Sequence, residues 1–175
     1  MTKPDAMRHI LILRHAKSDW ATAGMSDFDR PLAARGRHAA TAMGAFMADE
    51  CPLPDVVLCS AARRAVETWQ IVVRQWPGLP TAAFSEELYS AATGDLLRRL
   101  NQQADATTVM LVGHHPGFDG LAMALAADQH SELIDRMRIK FPTAALAHLT
   151  FSGAWTDLAP ETADLIRFVR PKDLV

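Results

Sequence analysis

The sequence predicts one α/β domain with a mostly parallel central sheet and helices on both faces. Three short apolar segments, partly β-branched and without polar alternation, are typical of strands covered on both sides. Segments with helical spacing separate them, and this alternation favours parallel strands joined by helical crossovers. A length of 175 residues suits a single domain, 1–175, and suffices to bury a full core.

The first buried strand leads into a long loop and then a helix. Residues 8–14 predict the strand, which runs without a polar break into Arg14 and His15. Residues 16–31 are polar and contain glycine and proline, so we predict a loop; a long loop after a candidate site residue is often functional. The segment from Leu32 to Met47 is rich in Ala and Met at helical spacing, which predicts a helix.

The other two buried strands are each followed by a helix. Residues 55–59 predict a strand, Ser60 is suited to cap a helix, and residues 61–75 predict that helix. Residues 107–112 predict the third buried strand, and residues 113–127 predict a tight turn and a further helix.

The remaining predicted elements are shorter. They are a strand at 81–84, a loop at 86–89, a helix at 95–103, a helical turn at 131–140, and two closing strands at 144–151 and 163–169.

Composition and charge exclude several classes of function. A net charge of −2 indicates neither a nucleic-acid footprint nor a polybasic membrane patch. The polar segment 1–9 precedes an apolar run too short for a signal peptide or a membrane span, so we expect a cytoplasmic protein. Cys51 and Cys59 form neither a disulfide framework nor a metal-ligand spacing. No His/Asp/Glu/Cys set has metal spacing and no nucleotide-binding glycine loop is present, so we expect no metal and no cofactor.

Basic and imidazole side chains follow each of the three buried strands. With one serine, the set in chain order is Arg14, His15, Ser60, Arg63, Arg64, His114 and His115. The carboxyl ends of parallel strands meet at one edge of a sheet, where ligands bind and helix N-termini offer N–H donors to an anion. Guanidinium groups beside imidazoles suit phosphate above other anions.

Four ordered segments carry a resemblance to a known family. They are Leu13-Arg14-His15-Ala16-Lys17-Ser18, Asp29-Arg30-Pro31-Leu32 with Gly36, Ser60-Ala61-Ala62-Arg63-Arg64-Ala65-Val66-Glu67-Thr68, and Val112-Gly113-His114-His115-Pro116-Gly117. They resemble the motifs of the histidine phosphatase superfamily, which has the phosphoglycerate-mutase-like fold, and their order and spacing are similar to those of its small SixA-like phosphohistidine phosphatases. The resemblance spans nearly the whole chain. The sequence departs from the pattern at Ala16, where the family has Gly, and at His115, where it has Asn.

The resemblance implies a phosphatase with His15 as nucleophile and a phosphohistidine intermediate. It also implies that Arg14, Arg64 and His114 bind the phosphoryl oxygens and stabilise charge in the transition state. Repulsion from the two guanidinium groups would keep the nucleophile neutral. Ser18 either adds a hydroxyl to the phosphate site or fixes the loop.

Two further basic residues of the motifs are better explained outside the reaction. We interpret Lys17 as a solvated loop residue. We interpret Arg63 as a residue of the solvent-facing or substrate-facing surface, because Arg64 holds the motif position.

Glu86 and Glu87 are the candidate general acids. Larger members of the family place a Glu in the segment that corresponds to the one after the short strand predicted at residues 81–84, where it protonates an alkoxide leaving group. The match here is poor, and carboxylates facing water explain both residues better. A phosphorylated imidazole leaves far more easily than an alkoxide and therefore needs an acid less.

The segment between Arg64 and His114 is too short for a large lid. An open site admits a protein surface, so the sequence favours phosphohistidine on a phosphorylated protein as the substrate. A phosphomonoesterase or mutase for small phosphorylated metabolites is the alternative; a definite acid and a basic pocket for a second anion would favour it. A non-catalytic phosphate-binding module ranks last, because His15 is present.

Overall fold

A central six-stranded sheet carries helices on both faces. The structure, a computed structural model, describes residues 6–175; residues 1–5 of the polar segment 1–9 lie outside this range. The strands are β1 (Met7–Arg14), β2 (Val56–Ser60), β3 (Thr81–Ser85), β4 (Thr108–Gly113), β5 (Leu146–Ser152) and β6 (Asp164–Val169). The helices are α1 (Ala34–Glu50), α2 (Arg63–Val73), α3 (Thr93–Asn101), α4 (Gly117–Leu125) and α5 (Glu132–Ile139). Short 3-10 turns lie at Glu86–Leu88, Trp155–Asp157 and Pro171–Leu174.

The strand order is β3-β2-β4-β1-β5-β6. β1 pairs in parallel with β4, and β2 pairs in parallel with both β4 and β3. β5 is antiparallel to β1 and to β6, so β5 alone runs against the other strands of this sheet. The prediction of a mostly parallel sheet is therefore confirmed, and the carboxyl ends of β1, β2 and β4 lie side by side.

β1 is covered on both faces, as its unbroken apolar run predicts. Ile10 and Ile12 pack into the core on the side of α3, α4 and α5. Leu11 and Leu13 pack into the core on the side of α1 and α2. All four side chains are fully buried, so the strand that ends at Arg14 is held from both sides.

Several helix ends differ from the predictions. α1 begins at Ala34 rather than Leu32, because Leu32 forms a bridge with Ser18 and its N–H donates to a side chain of α2. α3 begins two residues earlier than predicted. Residues 131–140 form a full helix, α5, whose N-cap Ser131 accepts the N–H of Ile134 at 3.3 Å.

The prediction that Ser60 caps the second helix is wrong. β2 continues through Ser60, and α2 begins at Arg63 with Ala62 as its N-cap. The Ser60 hydroxyl accepts the N–H of Ala62 at 3.2 Å and also contacts His114, a residue of the site. The hydrogen bond to His114 therefore explains the presence of a serine at this position better than helix capping does.

The strand ends that carry the predicted site are not covered by a large insertion. Between α2 and β4 the chain forms β3, one 3-10 turn and α3. No helix within residues 6–175 is long and apolar enough to cross a membrane.

Candidate active site

The ends of β1 and β4 are tied together at the centre of the site. The His15 N–H, directly after β1, donates to the carbonyl of Gly113 at 2.9 Å, and Gly113 is the last residue of β4. A Cβ on Gly113 would lie 2.1 Å from the ring of Phe118, so only glycine fits this contact. The two predicted histidines, His15 and His114, therefore follow adjacent strand ends, and their ring centroids are 5.1 Å apart.

His15 is buried, and its hydrogen bonds show which ring nitrogen carries the proton and which holds the lone pair. Its Nδ1 lies 2.7 Å from the Ala16 carbonyl, which can only accept, so Nδ1 carries the proton. Nε2 then holds the lone pair, and the Arg64 Nε–H donates to it at 3.3 Å. The pKa of His15 is lowered to about 3, mainly by burial and to a lesser extent by His114 and the charges of Arg64 and Arg14, against the opposing hydrogen bond to Ala16. Desolvation is thus a larger cause than the predicted repulsion from arginine, and the imidazole is neutral at pH 7.

Arg64 joins the central groups of the site. Its Nη1 donates to the Asp27 carbonyl at 2.6 Å, and its Nη2 lies 3.1 Å from Asp27 Oδ2 and 3.5 Å from His114 Nδ1. Arg63 instead points outward and forms an ion pair with Glu67 at 2.7 Å. The structure therefore brings Arg64, and not Arg63, into contact with both histidines, in agreement with the motif register.

His114 is oriented by Ser60. A guanidinium only donates, so His114 Nδ1, 3.5 Å from Arg64, presents its lone pair, and the Nε2–H donates to the Ser60 hydroxyl at 2.7 Å. Burial, followed by the charge of Arg64, lowers the pKa of His114 to about 4. Ser60 thereby fixes the ring so that its Nδ1 edge faces Arg64.

Arg14 is a second guanidinium near the two histidines. Its Nη1 donates to the Phe141 carbonyl at 2.7 Å, while its buried Nε has no partner among the described residues. The charge of Arg14 contributes to lowering the pKa values of both His15 and His114. Its guanidinium therefore keeps hydrogen-bonding capacity close to the two imidazoles.

Sequence reasoning missed Asp27 and Tyr89. The Asp27 carboxylate accepts hydrogen bonds from Tyr89, Arg30 and Arg64. The bond from Tyr89 is the largest cause that lowers the pKa of Asp27 to about 2, and the same bond raises the pKa of Tyr89. The available signal was weak: an acidic residue three positions before Arg30 of the second motif, and the single tyrosine of the chain.

Several motif residues hold the loop that follows His15. The Ser18 hydroxyl accepts a hydrogen bond from Arg30 at 2.6 Å, which matches the loop-fixing role considered for Ser18. The Ala16 N–H donates to the Thr68 hydroxyl at 2.9 Å, and that hydroxyl donates to the Arg64 carbonyl at 2.6 Å. The loop carrying Asp27 is thus connected to the helix carrying Arg64.

Both departures from the family pattern are accommodated. Among non-glycine residues of the described chain, positive φ angles occur at Ala144 and Glu161, so Ala16 does not need the conformation that favours glycine. The half-exposed His115 side chain places Nδ1 2.8 Å from Asp119 Oδ2 and lines the same cavity as Arg64.

Glu86 and Glu87 lie away from these contacts. Both are exposed, and Glu87 forms an ion pair with Arg99. Glu87 lines a separate cavity beside α3, together with Arg98 and Arg99. Neither glutamate lines the cavity at the strand ends.

An open cavity of about 670 Å³ lies over Arg64 and His114. Asp27 and Tyr89 form part of its wall, and residues 90–93 and 115–118 complete it. Among the described residues that line this cavity, Asp27 is the one with a carboxylate side chain. Residues 6–175 contain no group of three or more side chains placed to hold a metal ion.

Comparisons with known proteins agree on one family. The profile of the histidine phosphatase superfamily (branch 1) matches residues 10–96. An uncharacterized protein of Mycobacterium tuberculosis is 37% identical over 163 residues, which cover 91% of this chain and 100% of that protein. The solved structure of a proposed phosphohistidine phosphatase SixA from Nakamurella multipartitia is 31% identical, with a TM-score of 0.84 and coverage of 97% of this chain and 99% of that one. A second such protein, from Agrobacterium tumefaciens, is 31% identical with a TM-score of 0.81, covering 94% of this chain and 98% of that one.

Proposed function

Because the chain belongs to the histidine phosphatase superfamily, we propose that it removes the phosphoryl group from phosphohistidine on another protein, with His15 as the attacking residue. The chain is a phosphatase of the histidine-nucleophile type, similar to SixA. The identity of the nucleophile and the class of substrate form the proposal. The observation that supports it most strongly is the unprotonated Nε2 of the neutral, buried His15, which accepts a hydrogen bond from Arg64.

In the first step, the phosphoryl group lies among Arg14, Arg64 and His114. The Nε2 lone pair of His15 gives up its hydrogen bond from Arg64 and attacks phosphorus in line. The bond from phosphorus to the substrate imidazole breaks as the new P–N bond forms, and that imidazole, protonated on its other ring nitrogen, leaves as the neutral base. The two guanidinium groups stabilise the charge on the equatorial oxygens. A phosphoryl dianion raises the pKa of His114, so its Nδ1 binds a proton and donates to one of these oxygens.

In the second step, water attacks the phosphohistidine on His15. The P–N bond breaks, inorganic phosphate leaves, and the imidazole returns to its neutral form with Nδ1–H on the Ala16 carbonyl. This step uses the same oxygen-binding groups as the first.

The choice of phosphohistidine over a phosphate ester rests on the proton supply. Asp27, the carboxylate on the cavity wall, has its pKa lowered to about 2 and carries no proton at pH 7. An alkoxide leaving group needs a proton, and general acid catalysis contributes roughly a hundred- to ten-thousandfold. A substrate imidazole leaves without that assistance, and the open cavity leaves space for the protein that carries it.

The test compares phosphohistidine in a protein or peptide with serine phosphate and sugar phosphates. We expect kcat/KM for phosphohistidine to exceed that for esters by roughly a hundredfold or more. His15→Ala removes turnover while the fold persists by circular dichroism, and the acid-labile, base-stable phosphoryl label found on the wild type disappears. His130→Ala, an exposed histidine outside the site, is the matched control and retains both turnover and label.

A small phosphorylated metabolite is the second candidate substrate, favoured by one observation. Arg14 also lines a second cavity whose other charged side chains are all basic, as a second anionic group of a metabolite would require. Esters hydrolysed as well as phosphohistidine, together with a loss of ester activity alone in Glu86→Gln or Glu87→Gln, would replace our proposal with this one.

A further inference from the structure

A basic cavity of about 450 Å³ adjoins the site on the side of Arg14. Its charged lining consists of Arg14 at the end of β1, Lys17 in the following loop, Arg35 in the first turn of α1, and Lys140 after α5. We propose that this cavity docks an acidic segment of the phosphorylated protein substrate, close in sequence to its phosphohistidine. The proposal rests on the proposed function and adds a rule for substrate selection to it.

Three of the four cations of this cavity have no ion-pair partner among the described residues, and the fourth, Arg14, lies near the buried Asp119. Lys17, Arg35 and Lys140 form no ion pair with any residue in 6–175. Elsewhere on the surface, exposed arginines pair with carboxylates three or four residues away. Examples are Arg63, Arg98 and Arg138. In a chain of net charge −2, this cavity is a local concentration of positive charge, and a bound anion would relieve the repulsion within it.

Arg14 connects the cavity to the reacting group. It precedes His15 in the chain, its charge contributes to the lowered pKa of His15, and its guanidinium also lines the cavity. Each extended residue spans at most about 3.6 Å. A carboxylate in the cavity would therefore lie a few residues from a phosphohistidine whose phosphoryl group is at His15.

The lack of hydrogen-bond partners at these cations favours an acidic protein segment over a small second anion. Arg35 and Lys140 are exposed, and the side chains of Lys17, Arg35 and Lys140 make no hydrogen bonds within the described chain. By contrast, Arg64 in the reacting site is buried and hydrogen-bonded to Asp27. Exposed charges on separate segments suit carboxylates at variable positions and accelerate encounter with an acidic surface.

The experiment uses two phosphohistidine peptides that differ only in flanking residues, one with Asp and Glu and the other with Asn and Gln. We expect the wild-type protein at low ionic strength to prefer the acidic peptide by on the order of tenfold in kcat/KM, the sum of a few exposed ion pairs. The preference should disappear at about 1 M salt, where the Debye length is about 3 Å.

Charge reversal locates the effect. In the double variant Arg35→Glu with Lys140→Glu, the ratio of kcat/KM for the acidic peptide to that for the neutral peptide should fall to one or below. Lys140→Glu alone should lower it partway, which guards against misfolding of the double variant. Arg74→Glu is the matched control: Arg74 is exposed, forms no ion pair within residues 6–175, and caps the end of α2 away from the site, so the preference should persist.

Three results would overturn the docking site. Equal efficiencies for both peptides in the wild type contradict it while leaving phosphohistidine as the substrate. If Arg74→Glu loses the preference for the acidic peptide as fully as the double variant does, the preference depends on the overall charge of the protein and not on this cavity. Competitive inhibition by a small dicarboxylate such as malonate, without any peptide preference, makes the cavity a small-molecule subsite. Hydrolysis of esters but of neither peptide is a distinct fourth result, which overturns the proposed function and the docking site together.

Discussion

The burial of His15 has a measurable cost in stability at acid pH. The pKa of His15 in the folded state is lowered to about 3, from the value of 6.5 that is usual for histidine. Between these values the unfolded chain binds a proton that the folded chain excludes, so the free energy of unfolding falls as the pH falls through this window. At pH 5 the contribution of this one group is about 2 kcal/mol, and at pH 7.5 it is below about 0.1 kcal/mol. Since the residue is 7% exposed, solvent screening reduces this cost little.

His15→Ala should therefore lose less stability, relative to wild type, at pH 5.0 than at pH 7.5. The expected difference between the two ΔΔG values is about 2 kcal/mol. It is independent of the packing lost with the ring, because that loss is common to both pH values. Urea unfolding in phosphate-free buffer measures it; phosphate would bind the folded site and stabilise the folded state.

Leu125→Ala is the control for this measurement. Leu125 is fully buried and has no titratable group, so the substitution should cost about 2–5 kcal/mol equally at both pH values. Identical ΔΔG values for His15→Ala at pH 5.0 and 7.5 would refute the reasoning. They would mean that the folded protein protonates His15 as readily as the unfolded chain does.

Three further predictions concern catalysis. Arg64→Ala should lower kcat by roughly a hundred- to a thousandfold and Arg63→Ala by little, because only Arg64 contacts the two histidines. Equal losses of kcat in the two variants would contradict the catalytic role given to Arg64. Ser60→Ala should lower kcat up to about tenfold through the lost hydrogen bond to His114, with a small change in the midpoint of unfolding; an unchanged kcat would show that Ser60 does not position the ring. Exhaustive chelation should leave turnover unchanged, and activity restored by one divalent ion would contradict this.

The positions of the buried strands could be predicted because their signal is local. An unbroken apolar run such as Ile10 to Leu13 must be covered on both faces, and the structure has cores on both sides of it. The reversed direction of β5 could not be predicted, because apolar spacing is the same for parallel and antiparallel strands. The start of α1 depends on contacts from Leu32 to Ser18 and to α2, which helical propensity does not contain.

The residues of the site likewise fall into those that a local signal predicts and those that only a tertiary contact places. Arg14, His15, Arg64 and His114 follow strand ends or open a helix, so topology alone brings them together. Asp27 joins the site through a partner 62 residues away. The carboxylate is placed by Tyr89, and no local pattern connects the two.

Ser60 shows how a local rule can fail where a residue serves the site. A serine just before a helix is suited to cap it, but this hydroxyl accepts a hydrogen bond from His114, 54 residues further along the chain. The motif Ser-x-x-x-Arg-Ala-x-x-Thr thus places Ser60 on His114, Arg64 on His15, and Thr68 on the Ala16 backbone. Its spacing is explained by these three tertiary contacts.

The charged groups that line the two cavities beside His15 constrain the leaving group. On the side of Arg14, the charged residues that line the cavity are all basic. On the side of Asp27, the carboxylate is held ionised by Tyr89, Arg30 and Arg64, so it can accept a proton only well below neutral pH. A group that leaves on either side receives no proton from a carboxylic acid at pH 7, which penalises an alkoxide and not an imidazole. Asn in place of Asp27 would remove the charge but add no acid, so Asp27→Asn should not raise the low rate on esters, and a rise would show that the ionised carboxylate itself is what disfavours them.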